Sequence, residues 1–321
     1  MPAVDSYPGA SVSVRLSAAG ARPRWAALAK GRPSLHIRRM RVLTWSLLGL
    51  AVAGASPAQA VVRGEVARNP NGVRTSVVRV ESSTGELCSG AIIAPDLVLT
   101  AAHCVMERAG YRVVAVDRRF RPIQLRAVAA AMHPAFVPGT TPRTQPGVDL
   151  AILKLEQPLG PDFVPLDPRG AGGIGKGDPV ELAGFGIVAE GQAKTARTLR
   201  QTQLVSLGSL QVANKVTVVA DGERLALSTG AGACRGDSGG PVMRESGGGY
   251  QLLGIVSWSS GAFNGRNVSA CGGLTAVTPV AEHASWIAAR ANDLSRASPA
   301  QAIYTSGAGR NAADWIMDKN R

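Results

Sequence analysis

The chain has 321 residues, 45% hydrophobic and 18% charged, an ordinary globular composition that excludes a disordered or fibrous protein. Its 38 glycines and 20 prolines leave few long helical runs and favour a turn-rich β protein. The net charge of +13 sits mostly in front: residues 1–60 hold eight Lys/Arg and one acid, the rest nets +6, and no basic run is interleaved with aromatics, so nucleic acid is not an expected partner.

In chain order, Arg38, Arg39 and Arg41 precede an uncharged, largely apolar stretch, 42–55, that leads to Ala58-Gln59-Ala60. A basic start, an apolar middle and an A-x-A end predict a secretory signal cleaved after Ala60. The apolar stretch is shorter than the ~17–25 residues that span a bilayer, so no membrane anchor is expected after cleavage. Met40 opens a compact signal, which makes it an alternative start to Met1. The expected destination is the periplasm or the exterior.

The exported domain is assigned to 61–291, with 292–321 as a polar tail. Its runs "RTSVVRVES", "AIIAPDLVLTAA", "YRVVAVD", "IQLRAVAAAM" and "DLAILKLE" read as strands. After a Gly/Pro-rich crossing at 158–179 follow "DPVELAGFG", "QLVSL", "VTVVA", "RLALS", "YQLLGIVSW" and "GLTAVTPV". Short strands punctuated by turns predict an all-β barrel or sandwich in two units, about 61–168 and 169–280. "VAEHASWIAARAND" puts Val280, Ala284, Ile287 and Ala288 on one face and predicts a closing helix over 280–291.

Four cysteines, Cys88, Cys104, Cys234 and Cys271, form an even set in an exported chain and predict disulfides, with three connectivities open. None has the close spacing of a zinc site. Three stretches carry chemistry: "TAAHC" with His103, "DLAILKL" with Asp149 and "CRGDSGGP" with Ser238. A serine nucleophile needs a base for its proton, a group that orients that base, and donors aimed at the oxyanion. His, Asp and glycine-flanked Ser supply that set.

"TAAHC", "DLAILKL", "GDSGGP" and "GIVSW" resemble the signature segments of the trypsin/chymotrypsin family of serine endopeptidases, over residues 61 to about 291. The order His, Asp, Ser separates this pattern from subtilisins and α/β-hydrolases. The resemblance implies two packed six-stranded antiparallel β-barrels with a C-terminal helix and a catalytic cleft between the barrels. It implies His103 as general base, Asp149 as the carboxylate that orients it, Ser238 as nucleophile, and the Gly236 and Ser238 N–H groups as oxyanion hole. It implies that Ser257, Trp258 and Ser259 pair with an extended peptide. It further implies bridges Cys88–Cys104 and Cys234–Cys271, in a lean, bacterial-type member without the family's other disulfides.

By the same resemblance Gly232 lies at the base of the primary pocket, beside Ala233, with Ser259 and Thr275 on its walls. Gly232 supplies no carboxylate for Arg or Lys, so a small or medium uncharged residue is expected before the scissile bond. Arg235 stands at the pocket mouth. Val61-Val62-Arg63-Gly64 resembles the family's activating N-terminus, with Arg63 in place of a glycine, and Asp237 resembles the acceptor of its ammonium. His36, His133 and His283 are expected to be bystanders, and Asn267-Val268-Ser269 is a short sequon match. No metal or organic cofactor is expected. The expected partners are a polypeptide substrate and a protein inhibitor, and the expected state is a monomer. The competing reading is a silent homologue that serves as a binding module.

Overall fold

A computed structural model describes residues 61–106, 109–265 and 268–296. The signal, the cleavage site up to Ala60, Asn267 and residues 297–321 lie outside the described residues.

Six strands form the first barrel: β2 (Val77–Ser82), β3 (Leu87–Ala94), β4 (Leu97–Thr100), β5 (Tyr111–Val116), β6 (Pro122–Met132) and β7 (Ala151–Leu155). They close in the order β2-β3-β4-β7-β6-β5, every neighbour antiparallel. Closure leaves no free edge on the barrel. Sequence alternation sets the faces. In β6 Leu125 and Ala127 point inward while Gln124 and Arg126 face water. β7 is buried throughout, and Lys154 within it is tolerated because its ammonium pairs with Asp96.

The second barrel contains β8 (Pro179–Gly184), β9 (Arg200–Gln211), β10 (Lys215–Ala220), β11 (Pro241–Ser246), β12 (Gly249–Ser259) and β13 (Thr275–Pro279). Its order is β9-β10-β13-β12-β11-β8, and β8 pairs back to β9 to close it. The segment 156–178 joins the barrels without a strand, as its Gly and Pro content predicts. The core runs on from the first barrel through Phe185, Met243, Leu252 and Ile255 to the C-terminal helix, so the barrels share apolar packing.

Four expectations change. "RLALS" is not a strand: residues 222–229 are turns and bends. The Asp221 carboxylate accepts the N–H groups of Glu223 (2.9 Å), Arg224 (3.1 Å) and Ala231 (2.7 Å), which folds the segment on itself. Leu225 and Ala226 take left-handed φ values of 47° and 62°, incompatible with a strand. Conversely β11 was not expected. It forms a hairpin with β12 through Gly247-Gly248, both at positive φ (60° and 79°), the conformation a two-residue hairpin loop demands.

The N-terminal segment also changes place. Rather than opening the first barrel, β1 (Glu65–Val66) adds to β9, and Val62 bridges to Gly232 in the second. Finally, the helix α1 spans Ala284–Arg296 after a single turn of 3-10 helix at Ala281–His283, starting and ending later than 280–291. Its Ile287 and Leu294 are buried against the first core. Here the bystander histidines meet: the His133 ring lies 5.1 Å from that of His283 and 4.7 Å from Trp286. Burial, then the neighbouring His283, pulls the His133 pKa down to about 4.

Candidate active site

β4 ends at Thr100 and turns through a short 3-10 helix, Ala102–Val105, that carries His103. The Cys88–Cys104 disulfide ties this turn to β3, and Cys234–Cys271 joins the two loops around the expected pocket. Each bridge is worth ~2–4 kcal/mol through restriction of the unfolded chain. Cys88, His103 and Cys104 crowd together, but both sulfurs are spent in the bridge and offer no thiolate to a metal.

Asp149 lies just before β7 and is fully buried. One carboxylate oxygen accepts the His103 backbone N–H at 3.0 Å, and the other meets His103 Nδ1 at 2.8 Å. The second oxygen also accepts the Ser257 hydroxyl at 2.6 Å. Burial pushes the Asp149 pKa up, but the facing imidazole and these hydrogen bonds outweigh it, and the net shift is down. For His103 burial pulls the pKa down, while Asp149, with a smaller contribution from Glu86, raises it to a net value above the usual 6.5.

The Ser257 contact was not anticipated; the residue was expected only to face substrate. The pairing of β12 with β13 slips between Val256 and Trp258, so Ser257 is the extra residue of a bulge. Such a bulge re-aims a side chain, and here the fully buried Ser257 hydroxyl reaches the carboxylate. A register break is not visible in an unaligned sequence.

Ser238 sits in the turn before β11, partly exposed. Its carbonyl accepts Ser89 N–H of β3 at 2.8 Å, and Ser89 Oγ donates to Gly236 O at 2.9 Å, which pins the turn to the first barrel. No hydrogen bond joins the Ser238 hydroxyl to the His103 ring among the described residues; such contacts are often long before substrate binds. Among the same residues neither the Gly236 nor the Ser238 N–H donates to a protein group, whereas the Asp237 N–H between them goes to Cys234 O at 3.1 Å. Two unspent donors flanking Asp237 suit an oxyanion. Gly236 has φ +94°, and a Cβ there would stand 2.9 Å from Gly186 Cα, so only glycine fits.

Asp237 is fully buried and accepts Gly186 N–H at 2.8 Å and Cys234 N–H at 2.9 Å. Burial lifts its pKa to about 7, against the smaller opposing pull of these two bonds and of Arg200. Val61 is also fully buried, in the core of the second barrel with Val219 and Val256. Arg63 takes φ 60°, so the segment turns in the left-handed conformation a glycine would adopt at less cost, and Gly64 N–H closes the turn on Val61 O at 2.6 Å.

Around the expected pocket, a Cβ on Gly232 would stand 3.5 Å from Thr275 Oγ1, which accepts the Ala233 N–H at 3.1 Å. Ser259 Oγ donates to Ala270 O at 2.5 Å. Arg235 is not a spare cation at the pocket mouth: it pairs with Glu190 at 3.0 Å.

This fold and site define a chymotrypsin-like serine protease. The sequence profile of the trypsin family, described as Trypsin, matches residues 61–287, and the chain belongs to that family. Trypsin iota of Drosophila melanogaster is 29% identical over 195 residues, 56% of this chain and 71% of that protein. Lectizyme of Glossina austeni is 26% identical over 219 residues, 63% and 77% respectively. Coagulation factor XII of Cavia porcellus is 30% identical over 226 residues, 62% of this chain but only 36% of that longer protein. Among solved structures, human heparin binding protein is similar with TM-score 0.53 and 21% identity, over 72% of this chain and 97% of that one. Mouse neuropsin has TM-score 0.55 and 19% identity, over 72% and 99%. These two likenesses bear on the fold alone. The chain is a serine endopeptidase, and its substrate is polypeptide.

Proposed function

We propose that the protein is an exported endopeptidase that cleaves peptide bonds through an acyl-enzyme on Ser238. His103 takes the serine proton and later returns it to the leaving amine. Asp149, held by Ser257, orients the ring and stabilises its charged form. The N–H groups of Gly236 and Ser238 receive the oxyanion. The observation that carries this reading is the pairing of a buried His103–Asp149 couple at 2.8 Å with two unspent amides at the Ser238 turn.

The substrate is read as pairing along Ser257–Ser259 by β-addition, with a small or medium uncharged residue before the scissile bond. Gly232 offers no carboxylate there, and the Thr275 hydroxyl stands close to the pocket base. Activity is read as beginning when the bond before Val61 is cut, because the freed ammonium would neutralise Asp237, a carboxylate that burial otherwise holds near neutrality. One cut by signal peptidase would then both export and activate the enzyme. We assign the enzyme to the periplasm or exterior, as a monomer with a protein inhibitor as a natural partner. Among the described residues no helix is long and apolar enough to cross a membrane.

A fluorophosphonate probe is expected to label the processed protein on Ser238 and not the Ser238→Ala variant. Absence of labelling on folded, processed protein overturns the reading in favour of a silent homologue. N-terminal sequencing of active enzyme is expected to begin at Val61.

A further inference from the structure

The outer end of β12 is a strand with one side open. β11 covers β12 only as far as Ile255, whereas β13 continues alongside to Ser259. The open side at Ser257–Ser259 is where an extended chain would add. It is already occupied. Arg143, which comes from the first barrel's loop before Asp149, donates from Nη2 to Ser259 O at 2.7 Å. Its guanidinium carbon lies 5.3 Å from the centre of the Trp258 ring. A chain residue 116 positions away thus takes a carbonyl that an incoming peptide needs and covers the aromatic floor beside it.

Two further observations bear on this arginine. The loop that presents it is built. Fully buried Gln145 accepts the N–H groups of Val137 and Gly147, both at 2.9 Å, and donates to Val137 O at 2.9 Å and Thr140 Oγ1 at 2.7 Å. Asn214 of the second barrel holds Gly147 O at 2.7 Å. The guanidinium also has no carboxylate partner among the described residues, unlike Arg235, which pairs with Glu190. Exposed arginines such as Arg63 and Arg119 are likewise unpaired among those residues, so it is the Ser259 carbonyl and the Trp258 ring that mark Arg143 out. An unneutralised cation is held by an ordered loop over the strand that receives substrate.

We infer that Arg143 is a specificity-determining gate: the enzyme selects extended chains with Asp or Glu at the second to fourth residues before the scissile bond. The substrate carboxylate forms a bidentate pair with the guanidinium and draws it off Ser259 O, which frees the carbonyl for the substrate's own N–H. A neutral chain has to displace Arg143 without recompense, and a basic one meets like charge. The inference rests on the peptide-pairing role proposed for Ser257–Ser259.

The test is peptide binding to the Ser238→Ala protein, which needs no turnover, followed by Trp fluorescence. Peptides with Glu at the second, third or fourth position before the bond are compared with Gln and Lys analogues. A Glu peptide is expected to bind about tenfold tighter than its Gln analogue, in keeping with a charge-assisted pair at a partly exposed site, and the gap should narrow with salt. Arg143→Gln is expected to erase the gap, Arg143→Glu to turn it toward Lys, and Arg143→Lys to keep part of it. A Glu/Gln ratio near one, or one unchanged in Arg143→Gln, overturns the inference. Fluorophosphonate labelling of the wild type reports the serine chemistry separately, so failure of the gate and failure of the proposed reaction give different results.

Discussion

Asp149 and Asp237 are both buried to zero exposure, yet the first is held below its ordinary pKa and the second is lifted to about 7. The neighbourhoods explain it. Asp149 faces an imidazole and accepts a backbone N–H, a ring nitrogen and a hydroxyl. Asp237 accepts only two backbone N–H groups among the described residues, and these together with the pull of Arg200 do not offset burial. Burial sets the cost of a charge, and the partner decides whether the charge survives. One carboxylate is finished as folded; the other waits for a partner.

The largest effect is expected at the finished site. Asp149→Asn should lower kcat on the order of 10⁴-fold while Ser238 stays in place, because the ring loses its correct tautomer. In the wild type, His103 is the proposed base, and its pKa is raised. The acid limb of kcat/KM should therefore fall above pH 6.5, with activity rising as pH passes through the folded pKa. A limb below 6.5 would mean that Asp149 does not govern the base.

Next in size is the pH response of Asp237. Its folded pKa lies above the value of ~3.9 for an unfolded aspartate, so the folded state binds the proton more tightly. For a chain extending before Val61, this group's stabilisation is full below about pH 4 and lost as pH rises toward 7. The loss is at most ~4 kcal/mol. Urea midpoints measured across that window should fall with pH for the extended chain. For the chain that begins at Val61 they should rise, because the ammonium favours the charged form. Identical profiles for the two chains would break the contrast between the two aspartates.

The smallest effect concerns Arg63, at φ 60° in the segment that carries Val61 inward. Arg63→Gly should stabilise the processed protein by ~1 kcal/mol, since glycine adopts this conformation with less strain. A thermal scan that shows destabilisation would place the turn elsewhere.

Most of the barrel architecture was legible because alternation and apolar runs mark strands: exposed and buried positions alternate over 124–127 of β6, and β5 is an apolar run buried at most positions. His103, Asp149 and Ser238 were legible as candidates because the proposed chemistry needs those residue types among small neighbours, and the structure brings His103 and Asp149 together at 2.8 Å. "RLALS" misled because its apolar alternation is overridden by one residue, Asp221, whose side chain captures three nearby N–H groups. β11 escaped notice although Gly247-Gly248 marked its hairpin. The passage of Val62 and Glu65 into the second barrel, the Ser257 bulge and the reach of Arg143 to Ser259 all join positions far apart in the chain. No local pattern encodes such contacts.

The open side of β12 has a meaning apart from substrate. A strand edge with unspent carbonyls and N–H groups can pair with the same edge of another copy, the usual beginning of aggregation in β proteins, and natural sheets deter this by placing charge on the edge. Arg143 places a cation there, on a loop that keeps it in position. Two copies approaching edge to edge would bring two guanidinium groups together. The side chain that sorts substrates would thereby also keep the enzyme from recognising itself.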